Sequence, residues 1–231
     1  MTESPPPPGF ADLLASAARF QRLVPDAVLV GGTAAALHAD HRISYDHDHV
    51  LSDLRDRFHT VLDALEREGD WVTNRVAPGR LVLGELGGIE TGLRQLIRRQ
   101  PLEVQVYRLP DGAEIVIPTL AETLRIKAFL VVKRNQVRDY LDVAALAAAL
   151  GIERAGLVLA GIDAYYADQA PAEGTVAAQV AAQLADPRPK DSRTAGRLAA
   201  YKGLAARWHD WGQVKLVCRE VAAAMLTATD P

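Results

Sequence analysis

The sequence predicts an α/β protein of the α+β kind: a mixed sheet with flanking helices, followed by a helical C-terminal region. Three observations carry this reading. Up to about residue 118, short apolar runs of strand length alternate with stretches of helical spacing. After Pro118 the texture changes, and from Glu153 onward nearly everything reads as helix. Between the two regimes, Asp111-Gly112 joins two short apolar runs, which is a hairpin signal.

Phe10 to Leu23 carries apolar residues at helical intervals and is stopped by Pro25. Ala27 to Val30 is a short apolar run ended by two glycines, as a buried strand would be, and Ala34 to His38 opens a helix. Ile43 to Leu51 reads as a second strand, and Asp53 to Glu68 as a helix with Phe58, Leu62 and Leu65 on one face. Strands follow at Trp71 to Arg75, Arg80 to Gly84, Leu102 to Arg108 and Glu114 to Ile117. Thr119 to Leu150 is helical, and a polar break falls at Asp186 to Ser192. The expected division is a disordered proline-rich tail over 1–9, a sheet-bearing domain over 10–150 and a helical domain over 151–231.

The 231 residues suffice for one good core plus a satellite domain. A net charge of -3 gives no global attraction to nucleic acid, so any such surface has to be a local patch. The single cysteine, Cys218, excludes an internal disulfide and suits a reducing, cytoplasmic setting. No apolar run approaches the ~20 residues that cross a bilayer, so no membrane partner is expected.

The chemistry starts at Gly31-Gly32-Thr33. A strand running into two glycines and then a helix lets backbone N–H groups converge on an anion, and the Thr33 hydroxyl can donate to a phosphate oxygen. Alone, such a pair is more often a simple tight turn. Asp46 and Asp48 form the second element: strand alternation sets both carboxylates on one face, where they repel unless a cation sits between them. Hard oxygen ligands of this kind suit magnesium (or manganese), which commonly also takes substrate phosphates. Thirteen residues, Thr33 to Tyr45, separate the glycines from Asp46, enough for a helix and a return to a neighbouring strand.

On these residues the chain resembles the nucleotidyltransferase superfamily. With Arg42 and Ser44 added, it looks similar to the AbiEii toxin family within that superfamily. The resemblance implies a nucleotidyltransferase-like fold that binds a nucleoside triphosphate with magnesium and transfers a nucleotide to an acceptor hydroxyl. It also implies tRNA as acceptor, growth arrest as outcome, and an antitoxin partner. His47 and His49 depart from the family, which is usually apolar at both positions.

The superfamily places a third acidic residue on a later strand. Here that position falls on Glu103, as a further metal ligand, or aligns instead with Gln105, which would leave the site one charge short. The helix after Pro118 also resembles the family through Lys127, Arg138, Asp139 and Asp142. On one continuous helix Lys127, Arg134 and Arg138 point within ~20° of a common direction, a cationic stripe for phosphates that a break near Asn135-Gln136 would spoil. Arg138 and Asp142, spaced i,i+4, could equally be a plain ion pair.

Five of six histidines, His38, His41, His47, His49 and His59, lie within 22 residues, but no cysteine joins them, and polar strand-flanking roles account for them better than zinc. Between Arg188 and Arg219 stand eight Lys/Arg against two Asp, interrupted by Trp208 and Trp211. Arg193, Arg197, Lys202 and Arg207 in that stretch, with Arg94, Arg98 and Arg99 earlier, are the candidate tRNA-contacting patches; a merely solvated helix face is the plainer alternative.

Overall fold

The computed structural model describes residues 9–201 and 203–228. The proline tetrad of the expected tail and Lys202 of the basic patch lie outside them. The chain divides into two compact units.

Unit 1 comprises residues up to Ala34, Ile43–Ile97 and Val104–Pro118. It opens with α1 (Phe10–Leu23), whose buried face is Leu13, Leu14, Ala17, Ala18 and Phe20, the stripe that the periodicity predicts. β1 (Val28–Val30) leads into α2 (Gly31–Ala39), and β2 (His47–Leu51) leads into α3 (Leu54–Glu66). Then come β3 (Trp71–Ala77), β4 (Leu81–Leu86) and β5 (Ile89–Gln95). Five strands form a mixed sheet ordered β1-β2-β5-β4-β3, with β2 and β5 parallel and the other neighbours antiparallel. β6 (Val104–Arg108) and β7 (Glu114–Pro118) form a separate antiparallel pair across the expected Asp111-Gly112 turn. Gln21 of α1 ties this hairpin down: its amide donates to the Val116 carbonyl and accepts from the Val116 N–H.

One face of the sheet is dry. Phe20, Leu54, Phe58, Leu65, Trp71 and Leu93 belong to a single buried cluster drawn from α1, α3 and the strands. Gly84 makes room for the Trp71 indole, since a Cβ there would stand 2.4 Å from the ring. The other face carries Asp48, Glu85, Glu90 and Arg94 by alternation.

β5 is absent from the sequence reading, yet it is the central strand between β2 and β4. Its run Ile89-Glu90-Thr91-Gly92-Leu93-Arg94-Gln95 mixes charge and glycine into a buried strand. The available signal was the two-residue Gly87-Gly88 connection, both at positive φ, which is hairpin chemistry.

Unit 2 comprises Ala35–Arg42, Arg98–Glu103 and everything described from Thr119 onward. Its helices are α4 (Leu120–Arg134), α5 (Val137–Leu150), α6 (Ile152–Ala160), α7 (Asp163–Tyr166), α8 (Val176–Ala185), α9 (Ser192–Ala195) and α10 (Trp211–Thr227). Thr119 caps α4 by accepting from the Glu122 N–H. The expected boundary at 150 is displaced to 118. The reason is packing: Leu124, Phe129 and Val131 of α4 and most of α5 share one apolar cluster with Leu159, Val180, Val214 and Val221 from the later helices. Among the described residues no single helix is long and apolar enough to cross a membrane.

Candidate functional site: Asp46 and Asp48 beside the glycine turn

Unit 1 brings the glycine turn and the aspartates together. In the antiparallel register Val30 lies opposite Asp48, so Gly31 follows directly beside that carboxylate. Gly31 turns the chain with φ +74, and a Cβ on it would lie 3.2 Å from Cβ of Asp48 and 3.3 Å from its Oδ2. On the opposite flank Gly92 of β5 is level with Asp48, and a Cβ there would fall 2.2 Å from Oδ1. Asp48 therefore occupies a seat that exists because two neighbours lack side chains.

Asp46 is held by its surroundings as well. Thr33 is buried, and its hydroxyl donates to the Asp46 carbonyl at 2.6 Å. The Ser44 hydroxyl donates to Oδ1 of Asp46 at 3.0 Å. Both hydroxyls, expected at the nucleotide, are directed instead to fixing Asp46. Arg94 stands on the same face, its Nε 3.8 Å from Oδ1 of Asp48.

The sequence reading missed an acidic residue on this face. β2 and β5 run parallel with His47 level with Thr91, and carrying that register back one residue sets Glu90 level with Asp46. Glu90 is exposed, and no set of three potential ligands among the described residues converges closely enough to chelate. Two carboxylates still fit magnesium, which keeps waters and substrate phosphates in its shell rather than requiring an all-protein cage. The glycine-walled seat of Asp48 is the structural feature consistent with such an ion.

The residues between and beyond the aspartates correct an expectation. His47 and His49 are not polar flanking groups; both are fully buried on the dry face. His49 stacks on Phe20 at 4.5 Å between centroids, and neither of its ring nitrogens has a hydrogen-bond partner. Nε2 of His47 lies 3.0 Å from the Ser16 hydroxyl and 3.1 Å from that of Thr91. Burial lowers the His47 pKa to about 4 and holds His49 well below its ordinary value, with His47 adding to the effect. Among the described residues the histidines form no group of three potential metal ligands.

A stability consequence follows, with a definite sign. The unfolded histidines titrate near 6.5 and bind more protons than the folded ones, so stability is lost as pH falls from 6.5 toward 4. Each histidine contributes a slope of up to ~1.4 kcal/mol per pH unit in that window. Buried Glu122 and Asp139, whose pKa values are raised by burial, act in the opposite sense, so the readout is a difference. Thermal melts between pH 8 and pH 5 should show a shallower acid loss for His49→Leu than for the wild type, and parallel curves would contradict the assignment.

In unit 2 the family-like residues form a buried hub. Asp142 accepts from Nε and Nη2 of Arg42 at 2.8 and 3.1 Å, and its oxygens lie 2.7 Å from Nε2 of His41 and from Nζ of Lys127. Burial would raise the Asp142 pKa, but the charges of Arg42 and Lys127 and the hydrogen bonds from His41 and Arg42 hold it well below the usual range. The Arg138–Asp142 pair and the cationic stripe do not form as expected. α4 ends at Arg134, Asn135 takes φ +53, and α5 starts afresh at Val137, so Lys127 and Arg134 lie on one helix and Arg138 on another. Lys127 itself is buried on Asp142.

Glu103 does not join the carboxylates as expected. It precedes β6 rather than lying in a strand, and both its oxygens are engaged: Oε1 accepts from the Tyr165 hydroxyl at 2.5 Å, and Oε2 from Arg125 at 2.9 Å. Those two hydrogen bonds, Tyr165 first, lower its pKa. Gln105 sits on β6, level with Ile117 of β7, outside the five-stranded sheet.

The proposed basic patches are thinned by burial. Arg98 is 4% exposed, paired with Glu122 at 2.5 Å and packed 4.8 Å from the Tyr166 ring centre. Trp208 is 2% exposed, so it stacks in the core rather than on a base, and Trp211 packs edge-on against Tyr140. Arg99, Arg193, Arg197 and Arg207 remain exposed within unit 2, and Arg94 belongs to the sheet face of unit 1.

No protein-family model matches the chain. The heme uptake protein MmpL11 of Mycobacterium tuberculosis is 34% identical over 253 aligned positions, which take in 96% of this chain and 23% of that protein. The mycolic acid-containing lipids exporter MmpL11 of Mycolicibacterium smegmatis is 34% identical over 181 positions, 77% of this chain and 16% of the other. The chain thus spans less than a quarter of the length of these curated relatives. Among solved structures, a Helicobacter pylori chain provisionally assigned as a nucleotidyltransferase aligns with a TM-score of 0.48 at 13% identity, covering 96% of this chain and 97% of that one. The H. pylori protein JHP933 aligns at 0.42 and 12% identity, covering 94% and 91%. Likeness at that level does not reach chemistry.

Proposed function

We propose that the chain is a metal-dependent nucleotidyltransferase that moves a nucleoside monophosphate from a triphosphate to an acceptor hydroxyl. The observation that carries this reading is the seat of Asp48 between Gly31 and Gly92, beside an Asp46 fixed by Ser44 and Thr33. Asp46 and Asp48 would hold the divalent cation, and Glu90 is the further carboxylate available from the neighbouring strand. The N–H groups at the start of α2 face the triphosphate. A bound magnesium would ease deprotonation of the acceptor hydroxyl and neutralise charge on the phosphates. The attacking oxygen forms a bond to the α-phosphorus as the bond to the β,γ-pyrophosphate breaks, and the hydroxyl proton passes to solvent or a carboxylate. tRNA as acceptor, with growth arrest and a neutralising antitoxin, is the finer form of this reading, supported by the resemblance around Gly31, Asp46 and Asp48 and by exposed Arg193, Arg197 and Arg207.

The experiment incubates purified protein with each α-³²P-labelled triphosphate, magnesium and total tRNA. Label should enter RNA with wild-type protein and fall at least ~100-fold with Asp48→Asn. Label in protein or in a small molecule instead would keep the chemistry and change the acceptor, whereas no transfer to any acceptor would overturn the proposal.

The long match inside mycobacterial transport proteins favours a second reading, a nucleotide-binding module that serves transport without turnover. It predicts nucleotide binding by the wild type with no label transferred, and an Asp48→Asn variant that loses binding.

A further inference from the structure

Resting on the nucleotidyltransferase reading, we infer that Arg94 is an exchange cation: it balances Asp48 when no metal is bound and contacts the triphosphate when metal and nucleotide are present. Its position comes from the parallel register. Asp48 is level with Gly92 and Val50 with Arg94, so alternation puts Gly92 and Arg94 on the same face as Asp48. Gly92 adds no side chain beside the Asp48 carboxylate, which leaves room for the guanidinium two residues further along β5 to approach it.

The contact is built to be broken. Nε of Arg94 and Oδ1 of Asp48 are 3.8 Å apart, and their side chains are 47% and 35% exposed. An ion pair this long and this wet contributes about 0–1 kcal/mol. Arg42 and Arg98 behave differently: they are almost wholly buried on Asp142 and Glu122 at 2.8 and 2.5 Å. A divalent ion on Asp46 and Asp48 brings two positive charges next to the guanidinium and reverses the local field. Arg94 then turns from a carboxylate to the nearest other anion. Its planar, always-charged fork suits a phosphate that shares the same metal.

The prediction is a pair of effects of opposite sign. In the full chain, Arg94→Ala should bind Mn2+ about fivefold more tightly than wild type in the absence of nucleotide, measured from the spin-resonance signal of the free ion. At saturating Mn2+ the same variant should bind α,β-non-hydrolysable analogues of ATP, GTP, CTP or UTP at least ~10-fold more weakly. Arg94→Lys, which keeps the charge but not the fork, should match wild type for Mn2+ and fall between the two for nucleotide. Matching melting temperatures establish that the variants are folded. Arg94→Ala moving both affinities the same way, or moving neither, overturns the role of Arg94. A wild-type protein that binds no Mn2+ overturns the metal site itself, so the two failures are distinguishable.

Discussion

Asp142→Ala should lose about 3–5 kcal/mol of stability in unit 2, the largest effect expected of any single substitution outside the apolar core. The carboxylate is fully buried and is shared by Arg42, Lys127 and His41. Removing it leaves two cations in a site closed to water, and each then carries its desolvation cost without an opposite charge. Asp142→Asn should recover part of the loss through hydrogen bonding and none of the charge balance. Exposed Arg138 is the internal control: Arg138→Ala should change stability by less than ~0.5 kcal/mol. Calorimetric melts decide the matter, and an Asp142→Ala variant melting with the wild type would mean that Arg42 and Lys127 are stable without their shared anion.

Gly92→Ala should abolish metal-dependent chemistry while leaving the fold in place. The added methyl would lie 2.2 Å from Oδ1 of Asp48 and 3.3 Å from Cδ2 of Leu83, so the carboxylate has to rotate out of its seat. Gly92 is not among the positive-φ glycines, so alanine suits the backbone there and the strand has no reason to open. Mn2+ affinity and nucleotide transfer should both drop at least ~100-fold with an unchanged circular dichroism spectrum. Gly87→Ala, in open space at a hairpin turn, should strain the turn at its positive φ and leave metal binding intact.

What could be read from the sequence was what depends on near neighbours. α1 spans Phe10–Leu23 as expected, because an uninterrupted apolar stripe and Pro25 define both its face and its end. Asp48 faces away from His47 and His49 because alternation is a property of the strand alone, whereas β2 begins at His47 rather than Ile43 and leaves Asp46 in the bend before it. Residues whose role is set at long range are not legible in the sequence. His47 and His49 look like solvent-facing groups until Phe20 from α1 is laid over them. Glu103 looks like a site carboxylate until Arg125 and Tyr165, 22 and 62 residues away, take its two oxygens. Glu90 is not legible because β5 is not, and β5 is hidden by the glycine that gives Asp48 its room. That residue weakens the strand pattern for the same reason that it makes the site.

The most direct measurement is a crystal of the protein soaked with Mn2+ and an α,β-non-hydrolysable triphosphate, with data collected at the manganese edge. The anomalous peak should lie between the carboxylates of Asp46 and Asp48, with the triphosphate against the start of α2. Manganese bound elsewhere, or a triphosphate held away from Gly31 and Asp48 at saturating concentration, would contradict the account.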